Sequence, residues 1–427
     1  MAKDLQNPAE EKFWHLNKNM IGDDKVVIGE ERGHVRLITL NRPRQLNVIS
    51  SKVVSLLAQF LEKWEKDDDA ELVIIKAIVV LLQGAGRAFC AGGDLTMFYA
   101  GRTSKDACLE VVYRMYWLCF HIHSYKKTQV ALVNGISMGG GASFMVPMTF
   151  SVVTEKVVFA TPETSIGFHT ECGFSYMLSH LPGRLGEYLA LTGARLNGKE
   201  LVAIGFATHF VPSEKINELE QHLLRINSGD EQAVKAGIED FSVNVQLDDD
   251  SILNKQSIID ECFSKISVEE IIKSLETESS KEGNAWINSV LAGLKKSSPL
   301  ALKITLKSIR EGRNQTLSES LRKEFRVTMN ILRTAVSGDM YEGIRALAID
   351  KDNAPKWDPP SLDKVDDEKV DFVFQPFQEE LELAIPEMED CRTLTTSLDR
   401  YNTSASKPPS NSFEQDSPMA STRKFMS

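Results

Sequence analysis

Two glycine-rich segments constrain the fold of this chain more than any other feature. The first, FCAGGD, spans residues 89–94, and the second, MGGG, spans residues 138–141. Each follows an apolar stretch and precedes a helix-like pattern, which predicts a strand that turns directly into a helix. Glycine suits such turns because it adopts positive φ and lets other groups approach the backbone closely. The first N–H groups of a helix have no intrahelical partner, so two such turns meeting at one point would form an oxyanion hole.

A third segment, PETSIG over residues 162–167, offers a carboxylate, Glu163, beside those two turns. A carboxylate near two N–H donors is a candidate general base or nucleophile. Each glycine cluster alone is equally compatible with an ordinary tight turn. The ordered set of three segments is what points to chemistry.

Composition excludes several classes of protein. The 427 residues carry a net charge of −11, which argues against nucleic-acid binding because that surface is usually basic. The six cysteines show no CxxC spacing, as expected of free thiols in a reducing compartment. No uninterrupted apolar run is long enough to span a bilayer. His121 and His123 lie on different faces of a predicted helix, so we expect no metal site there.

The pattern along the chain predicts five parts. We expect an extension over 1–24, an α/β core over 25–212, a helical region over 213–365, a linker or extension over 366–387 and a disordered tail over 388–427. Alternating strands and helices in the second part are typical of βαβ units. The last part is rich in Ser, Thr and Pro and has too few apolar residues to offset the entropy of ordering.

The motif order resembles a known family. The segments NRP (41–43), FCAGGD, NGISMGGG (134–141), PETSIG, LTGARL (191–196) and ATHFV (207–211) resemble the crotonase, or enoyl-CoA hydratase/isomerase, superfamily. Within it, the chain is most similar to 3-hydroxyisobutyryl-CoA hydrolases, from about residue 26 to about residue 365. The resemblance implies an α/β fold in which a crotonase-type spiral of ββα turns is followed by a C-terminal helical region. It also implies an acyl-CoA substrate, no further cofactor, and an enzyme that can form homo-oligomers.

By motif position, the resemblance implies roles for individual residues. Gly93 and Gly140 would supply the oxyanion-hole N–H groups, and Glu163 would activate water or form a transient anhydride. Three further residues of the two glycine segments would contact substrate, namely Gly92, Asp94 and Gly139.

This chain departs from the family pattern at several positions. Ser143 stands where hydratases have their first glutamate, which disfavours hydration by two glutamates. Glu171 stands where the hydrolases have an aspartate that holds the substrate hydroxyl; either the pocket is reshaped or Glu171 no longer acts on substrate. Met115 replaces a glutamate of the acyl pocket and favours a less polar acyl group. Residues 77–83 look like an insertion upstream of the first glycine segment.

We therefore predict an acyl-CoA thioester hydrolase, similar to the enzyme that acts on 3-hydroxyisobutyryl-CoA in valine degradation. One alternative is an enoyl-CoA isomerase or hydratase-type enzyme, in which Glu163 shuttles a proton and the thioester stays intact. The other is a non-catalytic paralogue that acts as an interaction protein. Neither end of the sequence resembles a targeting signal, so the cytosol is expected, while relatives in mitochondria and peroxisomes leave those compartments open.

Overall fold

The computed structural model describes residues 25–77, 87–104, 106–281, 283–378 and 381–387. The expected extension over 1–24, the tail over 388–427 and residues 78–83 of the expected insertion lie outside these ranges. Ten strands are described, namely β1 (Val27–Arg32), β2 (Val35–Leu40), β3 (Leu72–Ala77), β4 (Ala88–Cys90), β5 (Thr128–Val133), β6 (Ile136–Met138), β7 (Phe150–Val153), β8 (Val158–Ala160), β9 (Leu196–Asn197) and β10 (His209–Phe210).

The strands form two sheets. The larger has the order β1-β2-β3-β5-β7-β10, and the smaller has the order β4-β6-β8-β9. β1 and β2 form an antiparallel hairpin around Gly33, as the sequence predicts. β3 pairs in parallel with β2 and β5, and β4, β6 and β8 pair in parallel with one another.

Successive strands alternate between the two sheets, and this alternation forms the spiral of ββα turns. β3, β5 and β7 belong to the larger sheet, and each is followed by a strand of the smaller sheet. A helical segment follows each such pair. The expected α/β class and the spiral are thus confirmed.

Fifteen α-helices are described in the same ranges. They are α1 (Ser51–Glu65), α2 (Leu95–Gly101), α3 (Leu109–Ser124), α4 (Phe174–Ser179), α5 (Leu185–Thr192), α6 (Gly198–Ala203), α7 (Ile216–Ile226), α8 (Glu231–Glu239), α9 (Gln256–Phe263), α10 (Val268–Ser279), α11 (Trp286–Lys296), α12 (Pro299–Gly312), α13 (Leu317–Leu332), α14 (Asp339–Ile344) and α15 (Asp367–Phe372). The last strand ends at Phe210, so the described chain is helical and irregular beyond it, which confirms the C-terminal helical region. Ser298 caps α12 through the N–H of Ala301, and Pro299 occupies its first turn.

The larger sheet is buried on both faces because its strands alternate apolar side chains between the faces. In β3, Val73 and Ile75 join the main core. Leu72 and Ile74 join a second cluster, covered by α7 and α8.

The segment expected as a linker or extension is part of the folded body. Residues 366–387 include α15. Leu383 and Ile385 are buried, and Glu382 forms an ion pair with Arg326 of α13. Alternating apolar residues after 380 explain this packing, because one side of the extended segment faces the core. Among the described residues, no helix is long and apolar enough to cross a membrane.

Candidate active site

The three segments singled out in the sequence meet at one edge of the smaller sheet. β4 ends at Cys90, β6 ends at Met138 and β8 ends at Ala160. Because these strands are parallel neighbours, their carboxyl ends lie side by side. The two glycine segments and the Glu163 turn leave from these ends, so the sheet itself brings them together.

Close backbone packing explains the glycines. A Cβ on Gly92 would lie 3.1 Å from the carbonyl oxygen of Met138, and one on Gly141 would lie 2.5 Å from that of Cys90. Gly92 and Gly139 also have φ values of +93° and +50°, which side chains disfavour. The two turns are therefore in direct contact.

Each turn has one backbone N–H group that the local pairing leaves without a backbone partner among the described residues. In the parallel bridge between Ile49 and Gly93, the N–H of Ile49 bonds to Gly92 and the N–H of Asp94 bonds to Ile49. This pattern directs the N–H of Gly93 away from Ile49. Gly140 is the second residue of a short 3₁₀ helix (Gly139–Phe144), where the N–H has no intrahelical partner. The placement suits the predicted oxyanion hole, and the role of both glycines stays a prediction.

Glu163 begins a 3₁₀ turn (Glu163–Ile166) and lies against the second glycine segment. A Cβ on Gly139 would lie 2.7 Å from Glu163 Oε1. The side chain is 7% exposed, and Oε2 has no hydrogen-bond partner among the described residues. Burial raises the pKa of Glu163 to about 8, with a further contribution from the charge of Glu171. A carboxyl with a free oxygen and such a pKa can accept and return a proton near neutral pH.

Glu171 lies against the next residue of the same glycine segment. A Cβ on Gly140 would lie 3.0 Å from Glu171 Oε1. Desolvation raises the pKa of Glu171 to about 7, while hydrogen bonds with Cys172 and Tyr116 lower it. The carboxyl thus lies beside Gly140, one of the two predicted oxyanion-hole residues.

A small cavity opens beside Gly93. It measures about 30 Å³, and its walls include Glu171 and Met115 of α3, so three of the predicted site residues line one space. Most of its other walls are apolar, namely Ile49, Met97, Phe98, Val111, Val112 and Phe168. The acyl pocket predicted from Met115 and Glu171 would lie here, with Glu171 as the one charged residue among those described as lining the cavity. Substrate contact by Met115 and Glu171 remains a prediction.

Sequence reasoning missed the residues behind this cavity. Tyr116 and Thr328 line it, and the carboxylate of Glu324 accepts hydrogen bonds from the N–H groups of Gly173 and Ser175 at 2.6 and 2.8 Å. Glu324 and Thr328 lie one turn apart on α13, far from the glycine segments in sequence. No signal in the sequence of α13 marks these two residues, because their burial beside the cavity follows only from the fold.

Two polar residues in or directly after the glycine segments have structural partners. Asp94 caps α2 by accepting a hydrogen bond from the N–H of Met97, and it lies 3.5 Å from Arg42. Ser143 is buried and donates a hydrogen bond to the carbonyl of Gly140 at 2.6 Å. Asp94 therefore has a structural role as the cap of α2, and its contact with substrate stays a prediction.

The histidines of α3 also have structural partners. His121 Nε2 lies 3.0 Å from Glu65 Oε2, and His123 Nδ1 lies 2.8 Å from the carbonyl oxygen of Cys119. Burial lowers the pKa of His123 to about 4. In the part of the chain that the structure describes, no cluster of three or more His, Cys, Asp or Glu side chains is arranged to hold a metal ion.

Sequence and structural similarity assign the family. The enoyl-CoA hydratase/isomerase family model matches residues 35–374, and the chain belongs to this family. It is 68% identical over 371 residues to 3-hydroxyisobutyryl-CoA hydrolase-like protein 5 of Arabidopsis thaliana, covering 87% of this chain and 94% of the relative. It is 42% identical to the mitochondrial 3-hydroxyisobutyryl-CoA hydrolase-like protein 1 of the same plant, covering 85% and 90%.

A solved structure supports the fold. The crystal structure of a carnitinyl-CoA dehydratase from Mycobacterium thermoresistibile superposes with a TM-score of 0.75 at 32% identity. The match covers 84% of this chain and 99% of that one.

Proposed function

We propose that this chain hydrolyses acyl-CoA thioesters, with short 3-hydroxyacyl groups such as 3-hydroxyisobutyryl as the substrate class. The observation that carries the proposal is the Glu163 carboxyl, which is buried against Gly139 of the second glycine segment and has one oxygen without a hydrogen-bond partner among the described residues. The names of the two plant relatives support the same reaction class.

The geometry suggests a role for each residue in the reaction. Ionised Glu163 takes a proton from water, and the water oxygen bonds to the thioester carbon. Negative charge then develops on the carbonyl oxygen, where the N–H groups of Gly93 and Gly140 stabilise it. The C–S bond breaks, and the departing CoA sulfur receives the proton from Glu163. The products are a free acid and CoA, and the sequence balances without a cofactor or a metal ion.

An enoyl-CoA isomerase or hydratase-type reaction is the second candidate. It is favoured by the two carboxyls, Glu163 and Glu171, which flank the same glycine segment. The same N–H donors would stabilise an enolate, and the thioester would survive. Release of free CoA therefore separates the two reactions.

The compartment stays a prediction. The sequence analysis favours the cytosol, whereas the name of one relative includes the word mitochondrial. Imaging of the full chain with a carboxyl-terminal tag decides between them.

The test of the proposal is free-thiol release from a panel of acyl-CoAs by wild type and by Glu163→Gln. We expect release by wild type and a loss of about 10³-fold in the variant, because glutamine keeps the shape but cannot take a proton. Glu220→Gln is the matched control, since Glu220 is also buried but pairs with Lys76, away from the cavity. Absence of release from every acyl-CoA by folded wild type would contradict the proposal.

A further inference from the structure

The 3₁₀ turn that carries Glu163 is bonded to the C-terminal helical region through residues that the reaction itself does not use. The N–H of Ser298, the residue before α12, donates a hydrogen bond to the carbonyl oxygen of Thr164 at 3.1 Å. Thr164 is the second residue of the turn and is 1% exposed. This bond therefore fixes the backbone of the residue directly after Glu163.

Ser298 is in turn held by Asp339, the first residue of α14. The Ser298 hydroxyl accepts a hydrogen bond from the N–H of Ala301 at 3.1 Å and donates its single proton to Asp339 Oδ2 at 2.6 Å. Asp339 Oδ1 accepts a hydrogen bond from the N–H of Asp358 at 2.8 Å. Both oxygens thus act as acceptors, as suits a carboxylate. Ser298 and Asp339 are both buried, and we call this pair the Ser298–Asp339 clasp.

Two glycines let α14 touch the Glu163 turn directly. Gly167 follows the turn with a φ of +73°, and a Cβ there would lie 2.5 Å from the backbone carbonyl oxygen of Asp339. A Cβ on Gly343 of α14 would lie 2.3 Å from the carbonyl oxygen of Ile166. Neither position has room for a side chain, so the two backbones are in contact. Asp339 therefore holds the turn both through Ser298 and through its own main chain.

The position of the turn decides where the Glu163 carboxyl lies. Its side chain contacts the second glycine segment, where a Cβ on Gly139 would be 2.7 Å from Glu163 Oε1, whereas the backbone of its turn contacts α14 and Ser298. A shift of the turn would move the carboxyl relative to Gly139. It would also relieve the burial of the carboxyl.

We propose that Asp339, acting through Ser298, is a positioning residue that holds the Glu163 turn and thereby keeps the Glu163 carboxyl against the second glycine segment. The proposal rests on the proposed thioester hydrolysis, in which Glu163 takes a proton from water. Neither Ser298 nor Asp339 is among the described residues that line the acyl cavity. The clasp therefore acts on the base and not on the choice of acyl group.

The groups that set the pKa of Glu163 make this shift measurable. Desolvation is the largest cause of the raised pKa of Glu163, and the charges of Glu171 and of Glu324 on α13 raise it further. Substitution of Asp339 leaves both of these carboxyls in the chain. A lower pKa of Glu163 in such a variant would therefore report that the carboxyl has moved or become more hydrated.

The experiment measures kcat, KM and the pH profile of CoA release from 3-hydroxyisobutyryl-CoA by wild type and by Asp339→Ala. We expect kcat to fall about 10²-fold, since a misplacement of about 1 Å can cost that much. KM should change little because the clasp lies outside the acyl cavity. The acid limb of the profile should move to lower pH, because relief of burial lowers the pKa of a carboxyl.

Two further variants keep the test decisive if Asp339→Ala does not fold. Asp339→Asn keeps one acceptor oxygen, so its kcat and its acid limb should lie between those of wild type and Asp339→Ala. Ser298→Ala loses the bond to Asp339 but keeps the N–H that bonds to Thr164. It should therefore act in the same direction with a smaller loss of kcat.

Asp260→Ala is the matched control. Asp260 lies on α9, and its carboxylate also accepts a hydrogen bond from a distant backbone N–H, that of Arg184, at 2.6 Å. This variant should lower the thermal unfolding temperature but leave kcat and the acid limb unchanged. It therefore separates loss of stability from loss of position.

Two results would overturn the proposal. One is a folded Asp339→Ala variant with the kcat and the acid limb of wild type. The other is a loss of kcat with an unmoved acid limb, matched by an equal loss in Asp260→Ala. In both cases wild type still releases CoA, so hydrolysis stands. A wild type that releases no CoA from any acyl-CoA would instead overturn the proposed function, and this inference with it.

Discussion

The site has two sides that are built differently. The thioester side, formed by Gly93, Gly140 and Glu163, stands on the ends of adjacent strands and uses backbone N–H groups. The acyl wall, formed by Met115, Tyr116, Glu171 and Thr328, is assembled from side chains of α3, α13 and the loop that precedes α4. The thioester side is fixed by sheet pairing, whereas the acyl wall is fixed by packing between helices. The thioester side can therefore stay constant while changes in the acyl wall alter which acyl group is accepted.

Gly140→Ala should produce the largest effect, because it disturbs both sides at once. Its Cβ would lie 3.0 Å from Cys172 Sγ and 3.0 Å from Glu171 Oε1, so Glu171 and the N–H donor must shift. We expect kcat to fall by about 10²- to 10³-fold, as for loss of an oxyanion-hole donor. Gly293→Ala in α11 is the control, since a Cβ there meets nothing within 4 Å. Equal kcat values in both variants would show that Gly140 has no role in catalysis.

The pH dependence should come next. The pKa of Glu163 is raised to about 8, and only the ionised carboxylate can accept a proton. We therefore expect kcat/KM to fall about tenfold for each pH unit below that value. Glu171→Gln should move this limb to lower pH without removing it, since the charge of Glu171 raises the pKa of Glu163. A flat profile between pH 6 and pH 8, measured by thiol release, would speak against Glu163 as the base.

The same raised pKa has a consequence for stability. The folded state holds the Glu163 proton more tightly than the unfolded state, so its stabilising contribution is complete below the usual pKa of 4.5 and is lost as the pH rises through about 8. As the pH rises from 4.5 to about 8, the unfolding free energy of Glu163→Gln should therefore increase by roughly 2–4 kcal/mol relative to that of wild type. Denaturant unfolding at several pH values measures the difference.

Asp94→Ala should have the smallest effect. Losing the cap of α2 should lower the unfolding free energy by about 1 kcal/mol, while kcat/KM changes little. Asp94→Asn keeps a capping oxygen and should be close to wild type in both measurements. A fall in kcat/KM of more than about tenfold in Asp94→Asn would show that the carboxylate serves the substrate and not only the helix.

The thioester side could be predicted from the sequence because its parts are local. Each glycine segment has an apolar strand directly before it, and parallel pairing of β4, β6 and β8 aligns the three turns without any further information. The spiral was expected only from the resemblance to the crotonase superfamily, because no repeat was visible in the residues.

The acyl wall could not be predicted beyond Met115 and Glu171, because its members meet only in the folded chain. Thr328 is more than 150 residues away from His169 along the chain, and nothing local marks α13 as part of the site. The packing of Leu383 and Ile385 was missed for a similar reason, since two apolar residues in a polar stretch reveal their burial only when a partner surface exists.

The most direct test of the account follows one turnover of an acyl-CoA in water enriched with oxygen-18. If Glu163 activates water against the thioester, the label should appear in the carboxyl group of the free acid, together with an equal amount of free CoA. An intact acyl-CoA that has gained labelled hydroxyl or moved its double bond, with no CoA released, would contradict hydrolysis and assign the site to hydration or isomerisation.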